Sequence, residues 1–327
     1  MNINEEALYI LVEGEPDSPE AAFFRQQRRD FITINTIEVG GSSSFNVIAK
    51  LIYDKINILE EIYGNAENFV HKKIPVLAIA DRDFRKYSLD DNTKIEDRQL
   101  IGQKKAKIIY WERHEWENFL LDELDIICEI LNDESFLNRK HGKFFKNSTL
   151  NVNEEIINDF LLKYFQNEIN IQTEFIQCVR FRFRDLKNDY PSLEDPKYTD
   201  VRDIGLLKQD WYIPEIKKLS TNYQTQVDQL SDFFDEILEE KGYKWKSWLD
   251  NPKSLSLEDG KKYFRGKEAF KALVKYLSER FEIGNLNDKK LKQLILENIR
   301  SRKESVLINQ TKKLLSPYLE KAQESSG

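Results

Sequence analysis

Four short apolar runs, separated by helix-patterned segments, constrain this chain most. They are "ALYILV" (7–12), "FITINTIEV" (31–39), "IPVLAIA" (74–80) and "AKIIYW" (106–111). The first and third are continuous, as in strands buried on both faces; the second is β-branched and roughly alternating. Between the first two, "DSPEAAFFRQQRRD" reads as a helix, with Asp17 or Ser18 as N-cap and Pro19 in the first turn. After the turn "GGSSS", apolar residues at 47, 48, 51, 52, 56, 59 and 62 make an amphipathic helical stripe. "HEWENFLLDELDIICEIL" continues the fourth strand as one helix. The order β-α-β-α-β-loop-β-α predicts an α/β fold, a mostly parallel sheet with helices on both faces.

Beyond residue 122 the patterning is helical, over 153–167, 174–190, 224–241, 267–281, 287–300 and 304–321. A polar stretch with prolines, Asn188 to Pro214, reads as a long loop. The expected layout is an α/β domain over 1–122, a mainly helical partner- or substrate-binding domain over 123–322, and a frayed tail, "QESSG", over 323–327. A homodimer through the helical domain is compatible with this layout, since periodicity does not separate a core face from an interface.

With 327 residues and 40% apolar content, the chain has the material for a large core. Fifty basic residues against 57 acidic ones leave a net charge of −7, which argues against a general polyanion-binding surface but permits a local basic patch. Cys128 and Cys178 are far apart and suggest neither a disulfide framework nor a zinc motif. No run has the length of a membrane span and no basic leader opens the sequence, so a soluble cytoplasmic protein is expected.

The acids sit where strands end. Glu13 closes the first strand; Asp81 and Asp83, in "IADRDF", close the third. In an open parallel sheet this edge is the functional one. Residues i and i+2 of an extended chain point the same way, so Asp81 and Asp83 are expected to present two carboxylates together. Crowded carboxylates repel unless a cation neutralises them, and Mg²⁺ or Mn²⁺ suits such oxygen ligands. Asp17 reads equally as a helix cap. Glu117, one turn into the helix after the fourth strand, reads as a further ligand or general base, or as a solvated acid. His71, His114 and His141 lack a second histidine at metal spacing and read as bystanders.

Basic residues are scattered. Arg25, Arg28 and Arg29 lie on the first helix, and Lys104 and Lys105 precede the fourth strand. In "CVRFRFRDLK" a helix places Arg180 and Arg184 on one face and Phe175, Val179, Phe183 and Leu186 on another. Such a face is either solvated or a phosphate-contacting surface. "GKKYFRGKE" (260–268) fails as a nucleotide loop, with five residues between its glycines and Glu268 where Ser or Thr is needed. "GGSSS" offers backbone N–H groups to an anion.

"VEGEPD", "GGSSSFNVI" and "IADRDF", taken together, resemble the TOPRIM domain of topoisomerases, primases and OLD-type nucleases. Glu13, Gly14 and Asp17 match the family's first motif, and Asp81 and Asp83 its Asp-x-Asp. The segment Trp116 to Leu121 is similar to one in stand-alone TOPRIM nucleases, among them the AriB-type effectors of the PARIS anti-phage system, with Glu117 as the added acid. "FRGKEAFKAL" (264–273) carries a vaguer likeness through the helical half. The resemblance implies a Mg²⁺- or Mn²⁺-dependent endonuclease. Glu13, Asp81, Asp83 and Glu117 would be catalytic, and Glu13, Asp17, Asp81 and Asp83 would hold metal. It further implies an RNA substrate in preference to DNA, transfer RNA included, and control by a separate ATPase subunit. The competing expectation is a non-catalytic module whose acids bind metal or a partner. A topoisomerase-like role would need a nucleophilic tyrosine, and no tyrosine here stands in such a context.

Overall fold

In the computed structural model the residues described are 8–14, 19–20, 23–24, 34–63, 74–85, 96–133, 145–146, 151–186, 193–194, 196, 203–219, 227–240, 242–299, 302 and 304–325. The N-terminal part is an α/β arrangement around a four-stranded sheet. Strands β1 (Leu8–Val12), β2 (Ile34–Glu38), β3 (Leu77–Ala80) and β4 (Lys107–Tyr110) are parallel, in the order β2-β1-β3-β4. Pairing of Val12 with both Glu38 and Ile79, and of Ala80 with Tyr110, aligns the C-terminal ends of all four at one edge.

Every residue of β1 and β3 is buried, because alternate side chains enter two separate apolar layers. Tyr9, Leu11, Val76, Ala78 and Ala80 pack under helix α1 (Phe45–Tyr63) through Phe45, Ala49, Ile52, Tyr53 and Ile56. The apolar face of α1 is thus rotated from the expected stripe: Val47 and Leu51 are 61% and 59% exposed. Aromatic Phe45 and Tyr53, the latter also accepting a hydrogen bond from Val76 N at 2.7 Å, decide which side faces the sheet. On the other face Leu8, Ile10, Val12, Leu77 and Ile79 join Phe23, Phe24, Trp111 and Phe119 in a core that continues to Leu315.

Between β3 and β4, α2 (Asp97–Gly102) occupies part of the expected loop. After β4 the anticipated single helix is two: α3 (Glu117–Leu120) and α4 (Leu124–Asn132). Glu123, at the break, is buried; it accepts hydrogen bonds from Ser305 Oγ at 2.7 Å and Leu307 N at 3.1 Å, which ties the break to the last helix. The helical part comprises α5 (Glu154–Phe165), α6 (Glu168–Leu186), α7 (Ile204–Leu207), α8 (Ile213–Leu219), α9 (Val227–Leu238), α10 (Trp245–Asp250), α11 (Leu257–Tyr263), α12 (Gly266–Arg280), α13 (Asp288–Ile299) and α14 (Val306–Ser325). A two-residue antiparallel ladder joins β5 (Phe145–Lys146) to β6 (Ile283–Gly284). The expected long loop up to Pro214 is instead helical from Ile204 onward, a π-type turn at Lys208–Tyr212 linking α7 to α8. The chain is still helical at Ser325, inside the expected frayed tail. Among the described residues no helix is long and apolar enough to cross a membrane.

Candidate metal centre

The aligned strand ends deliver Glu13 after β1, Gly40 and Gly41 after β2, and Asp81 after β3 to one cavity of about 350 Å³. Glu20, Trp116, Glu117 and Lys267 complete its wall. Asp81 is fixed on both oxygens. Oδ1 accepts a hydrogen bond from Trp116 N at 3.0 Å, and Oδ2 lies 3.7 Å from Lys267 Nζ. Glu117 is 2% exposed. Its Oε1 accepts from Lys292 Nζ at 3.0 Å, while Oε2 is buried with no hydrogen-bond partner among the described residues.

Glu13, Asp81 and Glu117 therefore come together as the sequence suggests, and Glu20 joins them. Burial first, then the charges of Glu117 and Glu13, push the Glu20 carboxyl up to about 8. Asp81 is held well above the carboxylate range by burial and by Glu20, Glu117 and Glu115. Burial alone would lower the Lys267 ammonium, but Glu117, Asp81, Glu115 and Glu20 outweigh it and hold it above its ordinary value. Two lysines meet four carboxylates, and the remaining negative charge calls for protons or a cation.

Asp83 departs from the expected pairing. Its backbone φ is +51°, so the segment is not extended, and the side chain lines a neighbouring cavity of about 270 Å³. That cavity is also lined by Phe84, His114, Glu115, Gln177, Arg180, Phe181, Arg184 and Arg265. Burial and then Glu13 raise Asp83 to about 6, against Arg85, Lys267 and Arg184. His114, read from sequence as a bystander, is 2% exposed, and neither ring nitrogen has a hydrogen-bond partner among the described residues.

The helical part supplies Lys267 through a local interlock. Asn118 Oδ1 accepts from Glu115 N at 2.8 Å, and its Nδ2 donates to Phe264 O at 2.8 Å. Gly266 begins α12 hard against it: a Cβ there would sit 2.6 Å from Asn118 N and Oδ1. The next residue, Lys267, donates its backbone N–H to Glu115 Oε2 at 2.7 Å. "HEWEN" (114–118) and "FRGK" (264–267) thus form one joint, and the side chain of Lys267 enters the cavity from it.

The basic candidates separate. Lys105 is exposed and Lys104 pairs with Asp54, both before β4 and so at the end of the sheet opposite the acids. Arg180 donates to Leu193 O at 2.9 Å; Arg184 is exposed, 5.1 Å over the Phe181 ring. On α6, Phe175, Val179 and Phe183 are buried as expected, whereas Leu186 is 41% exposed. Asp17, Arg25, Arg28 and Arg29 lie outside the described residues. Sequence reasoning missed Glu20, Glu115, His114, Lys267 and Lys292 as site residues. The signal for Lys267 was "FRGKEAFKAL", noted for its likeness alone.

No protein-family model, no curated protein and no solved structure matches the chain.

Proposed function

We propose that this chain is a TOPRIM-type endonuclease, dependent on Mg²⁺ or Mn²⁺, that cleaves phosphodiester bonds of RNA in preference to DNA. As in the AriB-type effectors it resembles, it would act in anti-phage defence under a separate ATPase subunit, with transfer RNA as the candidate target. The observation that carries this reading is the gathering of Glu13, Glu20, Asp81 and Glu117 around one cavity at the C-terminal edge of a parallel sheet. The donor set fits the metal: all-carboxylate oxygens, one of them the orphaned Glu117 Oε2. The acids are spread around a roomy cavity, which suits Mg²⁺, an ion that keeps several waters and takes few protein ligands.

Glu13, Asp81 and Glu117 would hold the ion, which would polarise a phosphate ester and acidify water. Glu20, on the wall of the same cavity, would exchange a proton with the water or the leaving oxygen. Lys267, kept charged by the acids around it, would face the negative charge that builds on phosphate oxygens in the transition state. The joint of Asn118 with Gly266 would set its position.

Purified protein, alone and with an ATPase encoded beside it, is to be tested on transfer RNA, other RNA and DNA with Mg²⁺. Glu13→Gln and Asp81→Asn are each expected to lose more than about a hundredfold in rate. Equal cleavage by these variants would overturn the assignment. One observation favours the non-catalytic alternative: Lys292 and Lys267 already offset part of the acidic charge. That reading expects partner binding to survive Asp81→Asn, with no cleavage under any activator.

A further inference from the structure

The second cavity has its own chemistry. Among the described residues, Asp83, His114 and Glu115 form a set in which one ligand atom from each lies within 4.8 Å of the others. The three converge for local reasons. Asp83 N donates to His114 O at 2.8 Å, which joins the two loops at the sheet edge. His114 N donates to Lys262 O at 3.0 Å, and Glu115 is held through one oxygen by Lys267 N. His114 is 2% exposed, and the ring of Phe84 packs roughly perpendicular to the imidazole with centroids 4.3 Å apart. A buried neutral imidazole with no hydrogen-bond partner is costly unless something takes its lone pair. A transition metal does so.

We propose that Asp83, His114 and Glu115 bind a first-row transition cation, with Zn²⁺ the tight occupant, at a site separate from the carboxylate cavity. One imidazole and two carboxylates make a mixed nitrogen and oxygen set, which favours Zn²⁺, Mn²⁺ or Co²⁺ over Mg²⁺. Metal–ligand bonds of about 2.0–2.2 Å keep ligand atoms within about 4.4 Å of one another, close to the 4.8 Å within which these three lie. Three protein ligands leave a position open to an outside ligand. The remaining wall of the cavity combines Arg180, Arg184 and Arg265 with Phe84, Phe181 and Gln177. Arg265 is offset by Glu174 at 2.9 Å, but Arg184 is exposed at the rim, so an anion such as a phosphate group suits the open position. This site has a ligand set of its own, and its occupancy does not depend on nuclease activity at the carboxylate cavity.

The chain has three histidines, His71, His114 and His141, so ¹⁵N-histidine NMR of the full-length, untagged protein isolates the ring in question. Addition of equimolar Zn²⁺ is expected to shift one imidazole nitrogen into the metal-bound range, and that signal is to be absent in His114→Gln. Loss of an outer-shell partner already costs roughly 10–100-fold in metal affinity. Loss of this ligand is therefore expected to weaken Zn²⁺ binding by more than about tenfold. Glu20→Gln is expected to leave the His114 signal and this affinity unchanged. Zinc-soaked crystals of the wild type provide a measurement that needs no variant, with an anomalous peak expected between Asp83, His114 and Glu115. An unshifted His114, or a zinc peak only among Glu13, Glu20, Asp81 and Glu117, overturns the proposal.

Discussion

Asp81 and Asp83 are separated by one residue, yet they face different chemistry. Asp81 belongs to a cavity lined by four carboxylates and Lys267, with Lys292 paired to Glu117 and no imidazole in the wall. Asp83 belongs to a tighter set with His114 and Glu115, walled by arginines. The left-handed turn at Asp83 lets one loop serve both, and Asp is among the few side chains that adopt it at low cost. A short acidic motif at a strand end is therefore no fixed pair. Backbone conformation decides whether its members share a ligand. The first cavity needs protons, lysines or a hydrated ion to balance its charge. In the second, a neutral imidazole and two acids match a directly coordinated metal.

The largest expected effect tests the lysine share of that balance. Lys292 and Glu117 are 6% and 2% exposed, and each is the other's ion-pair partner. Lys292→Met is expected to cost about 3–5 kcal/mol in urea denaturation at neutral pH, since it strands a buried carboxylate. Combining it with Glu117→Gln is expected to recover most of the loss. A cost below about 1 kcal/mol would mean that the Lys292–Glu117 pair does little to balance this cavity, which weakens the contrast between the two.

A somewhat smaller effect tests whether the cavities share a hinge. Gly266→Ala forces a Cβ into Asn118 and is expected to cost about 1–3 kcal/mol. Because Lys267 N holds Glu115 while Lys267 Nζ faces Asp81, affinities for Mg²⁺ and for Zn²⁺ are expected to fall together. Gly102→Ala is the control. Its Cβ meets nothing within 4 Å, so it is expected to be neutral or stabilising by less than about 1 kcal/mol.

pH separates the two sides next. Glu20 rises from its usual 4.5 to about 8 on folding, and Glu115 to about 7, both first through burial. Folded protein therefore holds these protons more strongly, and the stability they contribute is lost as pH rises toward 8. His114 works oppositely. Burial lowers it from 6.5 to about 3, so its contribution is lost as pH falls below 6.5. Between pH 6.5 and 8.5 the carboxylates dominate. Metal-free Tm is expected to fall across that window, and Glu20→Gln to flatten the fall. Mg²⁺ is expected to raise Tm more at pH 8 than at 6.5, because it displaces bound protons. A Tm that rises with pH in metal-free protein would break the account.

The part legible in sequence is the part carried by local pattern. Buried strands that end in carboxylates are conspicuous, so Glu13 and Asp81 stood out, as did the parallel α/β arrangement. Glu117 was visible as a candidate, but nothing local showed that Lys292 would bury with it. Glu20 occupies an ordinary first-turn position, and only tertiary packing makes it an inward acid. His114 and Glu115 look isolated because Asp83 reaches them through a turn whose positive φ no residue type dictates. The break at Glu123 was masked by apolar periodicity running through it, and the side chain that decides it answers to Ser305 and Leu307.

The smallest expected effect probes the arginines of the second cavity, where two neighbours on α6 play unequal parts. Arg184 is exposed and rests on Phe181, so Arg184→Ala is expected to change stability by no more than about 0.5 kcal/mol. If the cavity faces a polynucleotide, the same variant is expected to weaken binding across all sequences and to reduce the slope of log affinity against log salt by about one. Arg180 donates to Leu193 O, so Arg180→Ala is expected to cost more in stability, about 1 kcal/mol, through the half-buried hydrogen bond it removes. An unchanged salt slope for Arg184→Ala would confine substrate contact to the Asp81 side and leave the Asp83 side a metal site alone.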